Sequence, residues 1–145
     1  MARVVAVNIS DRKGVIKTPV EMGEFEIDLG MKGDAHSGNW HRQVSLLAQE
    51  SIDKMSAKGI LELTSGKFAE NLTTEGIELF TLPVGTRLEI GEVLMEVTQI
   101  GKECHRGCQI MKMVGDCIMP REGIFAKILR NGVIRPGDEI SLLAE

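Results

Sequence analysis

The feature that most constrains this chain is its punctuation. Sixteen glycines are spread along 145 residues, and the apolar residues between them come in short runs. The runs stop at turn chemistry: Ser10-Asp11-Arg12-Lys13-Gly14, Pro83-Val84-Gly85, Gly91-Glu92, Asn131-Gly132 and Pro136-Gly137-Asp138. Glycine supplies positive φ and proline pre-sets φ, so such clusters reverse the chain. Arg3–Ile9, Val15–Val20, Glu24–Leu29, Val44–Leu47, Leu79–Leu82, Arg87–Ile90, Val93–Ile100, Ile124–Leu129, Val133-Ile134 and Ile140–Leu143 read as strands. Pro19 has no N–H to donate, so its strand is at an edge or irregular there. Alternation in Val93–Ile100 sets Met95, Val97 and Gln99 on one face. Asn131-Gly132 reads as a type I′ hairpin turn. Only Gln49–Lys58 reads as a helix, with Ile52 and Met55 three apart and Gly59 as a stop. Gly30–Arg42, Thr64–Thr74 and Gly101–Arg121 have no apolar period and read as loops. Many short strands with close turns and one helix predict an antiparallel barrel or sandwich over repeated βαβ units.

Composition narrows the class. Residues 1–145 fit one domain, with 43% hydrophobic and 26% charged residues. A net charge of −4 and the lack of a Lys/Arg tract argue against a nucleic-acid surface. The longest apolar runs, such as Val4–Val7, fall far short of the ~20 residues that cross a bilayer. No secretion signal opens the chain. Three cysteines are an odd number, which argues against a disulfide framework and for a reducing cytoplasm.

All three cysteines lie between Cys104 and Cys117, and His105 stands beside the first of them. In Gly101-Lys102-Glu103-Cys104-His105-Arg106-Gly107-Cys108, three basic residues surround Cys104. Neighbouring cations favour the thiolate, the nucleophilic and metal-binding form. The stretch suits a nucleophile, a persulfide carrier or a metal ligand; an idle thiol at a strand end is the plain alternative. Cys104, Cys108 and Cys117 with His36, His41 or His105 could make a zinc module only if distant loops converge. Lys32–Arg42 gathers His36, His41, Arg42 and Trp40, residues that can bind an anionic or heteroaromatic ligand, or simply cap the core. Glu70-Asn71-Leu72-Thr73 reads first as turn-fixing chemistry. Arg121 in Met119-Pro120-Arg121-Glu122-Gly123 could hold a phosphate or pair with Glu122. The phosphate and dinucleotide glycine motifs are absent.

Taken in order, Gly33-Asp34-Ala35-His36, His41-Arg42-Gln43-Val44-Ser45-Leu46-Leu47, Phe68-Ala69-Glu70-Asn71-Leu72-Thr73, Val97–His105, Met119–Phe125 and Gly137-Asp138 resemble the MOSC domain, named after the C-terminal domain of molybdenum-cofactor sulfurases. The likeness runs from about Val4 to Ile140 and is to the short, stand-alone bacterial type. It implies a mainly β fold, a MOSC-like β-barrel of mostly antiparallel strands with one main helix and short helical turns. It also implies binding of the molybdenum cofactor or a molybdopterin precursor. The family's cysteine maps onto Cys104, as persulfide carrier or molybdenum ligand, and its Glu-Asn-Leu asparagine onto Asn71. His36, His41, Arg42, Asn71, Thr73, Lys102, His105, Arg106 and Arg121 are the residues expected to line the cofactor groove. Cys108 and Cys117 are extra thiols, open to a resolving or second-ligand role. A cysteine desulfurase or other sulfur donor, and a molybdoenzyme or cofactor-biosynthesis protein, are the implied partners. No pyridoxal phosphate is expected in this chain alone. A sulfurtransferase-like activity, or a small molybdenum-dependent reductase with Cys104 as metal ligand, are the enzymatic forms of this reading.

Overall fold

A computed structural model describes residues 2–12, 17–35, 37–57, 70–101 and 122–143. Its strands are β1 (Arg3–Ile9), β2 (Thr18–Val20), β3 (Gly23–Glu26), β4 (Gly30–Met31), β5 (Val44–Ala48), β6 (Leu72–Glu75), β7 (Arg87–Ile90), β8 (Val93–Ile100), β9 (Ile124–Arg130), β10 (Gly132–Ile134) and β11 (Ile140–Leu143). The helix α1 spans Gln49–Ala57. Eight strands form one sheet in the order β11-β7-β8-β9-β5-β6-β1-β2, and β10-β3-β4 form a second. The fold is mainly β, as the glycine punctuation predicts.

The ladder of the large sheet runs from β11 to β2 and does not close all the way round. Its two ends still meet. The Val4 N–H donates to Asp138 O at 2.8 Å, the Ile140 N–H to Ala2 O at 2.9 Å and the Gly137 N–H to Val4 O at 2.7 Å. The expected barrel is therefore a curled sheet, joined across its seam by a short bridge rather than by a full ladder. Pro19 does stand on the edge strand, β2.

Alternation decides what each strand buries. Val44, Leu46 and Ala48 of β5, Ile124, Ala126 and Ile128 of β9, and Val93, Met95 and Val97 of β8 enter one core. Phe25, Met31 and Ile134 of the small sheet join the same cluster. Removing each of the larger of these side chains (Val, Leu, Ile, Phe or Met) from water is worth about 1.5–3 kcal/mol. Side chains alternate across a sheet, so Ser45, Leu47 and Phe125 point to the opposite face. That face carries the candidate site.

Five sequence expectations are corrected. Glu24–Leu29 ends as a strand at Glu26, because Glu26–Leu29 is a turn with Asp28 at φ 64. The stretch read as a loop from Gly30 begins with strand β4. Leu79–Leu82 contains a 3-10 turn, Leu79–Thr81, in place of a strand. Leu72–Glu75 lies within a stretch read as loop and turn, yet it is β6, pairing parallel with β5 across a connection that includes α1. Asn131-Gly132 makes no hairpin: β10 pairs with β3, and neither residue has a positive φ. Asn131 instead accepts the Ile27 N–H on Oδ1 at 2.7 Å, tying the two sheets' connections together.

Candidate functional site

The site begins at an irregularity. β8 pairs in step with β9 from Met95 opposite Ile128 to Val97 opposite Ala126, then skips to Gln99 opposite Phe125, leaving Thr98 as an extra residue. Bulges re-aim side chains. Extrapolated alternation put Gln99 on the face of Met95 and Val97; the bulge instead sends its amide to the loop ahead of β5. There the Arg42 Nε–H donates to Gln99 Oε1 at 3.0 Å, and His41 Nε2 lies 3.0 Å from the same oxygen. An arginine nitrogen can only donate, so this atom is the amide oxygen and His41 Nε2 is also a donor. The Gln99 Nε2–H donates in turn to Gly101 O at 2.7 Å, and the Thr98 hydroxyl donates to His41 O.

Arg42 is held on a second side. Its guanidinium carbon stands 5.3 Å from the centre of the Phe125 ring, a cation–π distance. Its terminal nitrogens have no hydrogen-bond partner and face no carboxylate among the described residues. A half-buried guanidinium, fixed at Nε and on its face with both terminal nitrogens unspent, is a fork for an oxyanion. Trp40 packs edge-on against His41, with ring centres 5.9 Å apart. Beside them opens a cleft of about 400 Å³ lined by Asp28, Trp40, His41, Gln43, Thr98 and Lys127, among others. Gln43 is buried there. Its Oε1 accepts the Ile128 N–H at 2.9 Å, and its Nε2 has no partner among the described residues.

Asn71 and Thr73 are placed differently. Asn71 is fully buried. Its Oδ1 accepts the Ser45 N–H at 3.0 Å and the Ser45 hydroxyl at 3.2 Å. Its Nδ2 donates to Asn8 O at 3.3 Å and approaches Met31 Sδ at 3.6 Å. Thr73 donates to Glu70 Oε2 at 2.7 Å and accepts from Asn8 Nδ2 at 3.1 Å. These groups pin β1, β5 and β6 together, one strand away from Phe125 and Arg42. Asn8 Oδ1 and Thr74 Oγ1 are buried there without a partner among the described residues.

The loop bearing His36 is anchored from beneath. Lys17 and Asp34 form an ion pair at 2.8 Å with both side chains fully buried. Lys17 also donates to Ser10 Oγ at 2.9 Å, and Asp34 Oδ1 accepts the Ser10 N–H at 3.1 Å. The Ala35 N–H donates to Ser10 O, and the Ser37 N–H and hydroxyl both donate to Asp34 O. At the loop's start, Gly30 has φ 96 and leaves only 2.5 Å between a would-be Cβ and Gln43 O, so no larger residue fits.

His36, Lys102, Cys104, His105, Arg106, Cys108, Cys117 and Arg121 lie outside the described residues. The chain leaves the described part at Gly101 and re-enters at Glu122, and the two ends touch: the Gly101 N–H donates to Gly123 O at 2.6 Å. Glu122 accepts the Ser51 hydroxyl of α1 at 2.6 Å. Of the expected lining residues, His41 and Arg42 thus come together at the root of the cysteine segment. Sequence reasoning missed Gln99, Phe125 and the Lys17–Asp34 pair as site-builders. The available signal was that Asp34, Gln99 and Phe125 sit inside the stretches resembling the family. Among the described residues, no three His, Cys, Asp or Glu gather to hold a metal. No described helix is long and apolar enough to cross a membrane, which says nothing of a β-barrel.

Comparison with known proteins defines the class. The family model for the MOSC domain matches residues 33–141, well over half of the chain. The chain therefore belongs to the MOSC domain family, which is associated with molybdenum-cofactor sulfurase-like function. Its fold is similar to the crystal structure of the YuaD protein from Bacillus subtilis: TM-score 0.80, 18% identity, covering 97% of this chain and 94% of that one. YiiM from Geobacillus stearothermophilus is similar at TM-score 0.77 and 20% identity, covering 99% and 76%. YiiM from Escherichia coli is similar at TM-score 0.69 and 17% identity, covering 99% and 70%. At these identities the likeness is one of fold. No curated protein is significantly similar to the chain.

Proposed function

We propose that this MOSC-domain chain binds the molybdenum cofactor, or its molybdopterin precursor, and carries sulfur as a persulfide on Cys104 during cofactor maturation. The observation that carries the reading is the Arg42 fork. Its terminal nitrogens have no acidic partner among the described residues, and it is anchored through Nε to Gln99 and packed on Phe125. That donor set fits the phosphate end of the cofactor, with His41 as a second donor when protonated. When bound, the cofactor supplies a molybdenum centre that takes soft sulfur ligands.

Covalent geometry supports placing the chemistry nearby. Cys104 follows Gly101 by three residues, and three residues of extended chain span at most about 11 Å. Gly101 is itself bonded to Gln99. A sulfur carrier there works by exchange. The Cys104 thiolate attacks the sulfane sulfur of a donor persulfide, the donor's S–S bond breaks, and the donor leaves as a thiolate. A cysteine desulfurase is the donor this chemistry calls for, and a molybdoenzyme or cofactor-biosynthesis protein the recipient. His36, Lys102, His105, Arg106 and Arg121 are assigned to the same groove. Asn71 and Thr73 act by holding the strands beneath it.

The test is cofactor capture. Cofactor released from a molybdoenzyme should be retained by the full chain on gel filtration, and Arg42→Ala should weaken retention by about tenfold, the loss of one bidentate charge-assisted contact. Equal retention by the variant would remove the fork from the reading.

A further inference from the structure

We infer that Gln99 is a positioning residue: one oxygen holds His41 and Arg42 as a single oxyanion-binding unit, and one nitrogen fixes that unit to Gly101, where the cysteine segment begins. The inference rests on the proposed function and names the residue that organises its anion end.

Three observations carry it. First, Gln99 Oε1 is saturated. An amide oxygen has two lone pairs, and Arg42 Nε and His41 Nε2 take them at 3.0 Å each. Two adjacent side chains are thereby drawn onto one acceptor. Second, the bond uses the nitrogen of Arg42 that a bidentate ligand does not need. With Nε on Gln99 and the guanidinium carbon over Phe125, the plane and direction of the fork are set before a ligand arrives, and this ordering lowers the entropy lost on binding. The same bond fixes the histidine, whose Nε2–H donates to Gln99 while its ring lines the cleft. Third, the other end of the amide is spent on Gly101 O at 2.7 Å. Gly101 has φ 68 and donates its N–H to Gly123 O. The unit is thus tied to both ends of the segment that leaves at Gly101 and returns at Glu122.

The geometry depends on the bulge at Thr98, which turns Gln99 out of the alternation of β8. A leucine or methionine at position 99 would satisfy the same strand but leave both donors unfixed. A glutamate would keep the acceptor and lose the donor to Gly101.

Phosphate titration of the full chain tests this, using inorganic phosphate as the probe and calorimetry as the measure. The Arg42 Nε–H proton resonance is followed alongside it. Wild type should bind phosphate and show a protected Arg42 Nε–H. Gln99→Met should bind about tenfold more weakly and lose the resonance to solvent exchange, with its fold intact by circular dichroism. Gln99→Glu should keep the resonance, because the carboxylate still accepts from Arg42. Phosphate binding by Gln99→Met within about twofold of wild type, with the resonance retained, would overturn the role of Gln99 alone. A wild type that binds no phosphate would overturn the oxyanion reading and this inference together. Should Gln99→Met fail to fold, the Gln99→Glu spectrum decides: loss of the protected Nε–H there removes the acceptor role.

Discussion

Two polar regions lie one strand apart on the same side of the large sheet, and they use their hydrogen bonds in opposite ways. Around Asn8, Asn71, Thr73 and Glu70 the side chains are fully buried and bonded to one another and to the backbone. Around Gln99, His41 and Arg42 the amide is fully used, on Arg42, His41 and Gly101, while the Arg42 terminal nitrogens have no partner among the described residues. The first arrangement spends its capacity on architecture, save for Asn8 Oδ1 and Thr74 Oγ1, which have no partner among the described residues. The second is rigid at its base with unspent donors, which is what ligand binding requires. Both regions are built around side-chain amides, and the donors left uncommitted on Arg42 separate a binding surface from a structural pin.

Substitutions can break this contrast. The largest stability loss is expected where charge is buried. Lys17→Met leaves Asp34 charged and buried and should cost about 3–5 kcal/mol in chemical denaturation. Lys17→Met with Asp34→Leu should cost less than the two single changes summed, because the double variant leaves no lone charge. An additive result would show that the pair is not coupled.

Asn71→Ala removes both Ser45 contacts and the Asn8 contact from a site with no water access, and should cost about 3 kcal/mol. A cost below about 1 kcal/mol would put Asn71 on the binding side of the comparison. The smallest stability effects belong to the other region. Arg42→Ala and His41→Ala should each change stability by less than about 1 kcal/mol, since their polar ends are partly exposed, while lowering phosphate affinity by about tenfold. If either variant lost as much stability as Asn71→Ala, the site would be a second pin.

Much of the scaffold was legible in the sequence. β1, β5, β7, β8 and β11 follow from short apolar runs bounded by glycine turns, and α1 from the spacing of Ile52 and Met55. β6 was hidden because Leu-Thr-Thr-Glu has only one core residue, while its threonines are buried on both sides by neighbours distant in sequence. The Asn131-Gly132 signal is local, and it lost to the pairing of β10 with β3, a tertiary choice no dipeptide encodes. Gln99 was mis-faced because strict alternation has no way to show a bulge. His41 and Arg42 were readable as candidates from residue type alone. Their assembly on one amide oxygen was not, since it joins residues 57 and 58 positions apart. The cysteines gave the clearest chemical signal in the sequence, and they lie outside the described residues.

The central claim is that Cys104 carries sulfur, and intact mass spectrometry tests it most directly. After incubation with a cysteine desulfurase and free cysteine, the wild-type chain should gain the mass of one sulfur atom, removable by a thiol reductant, and Cys104→Ser should gain none. Equal uptake by Cys104→Ser would contradict the account.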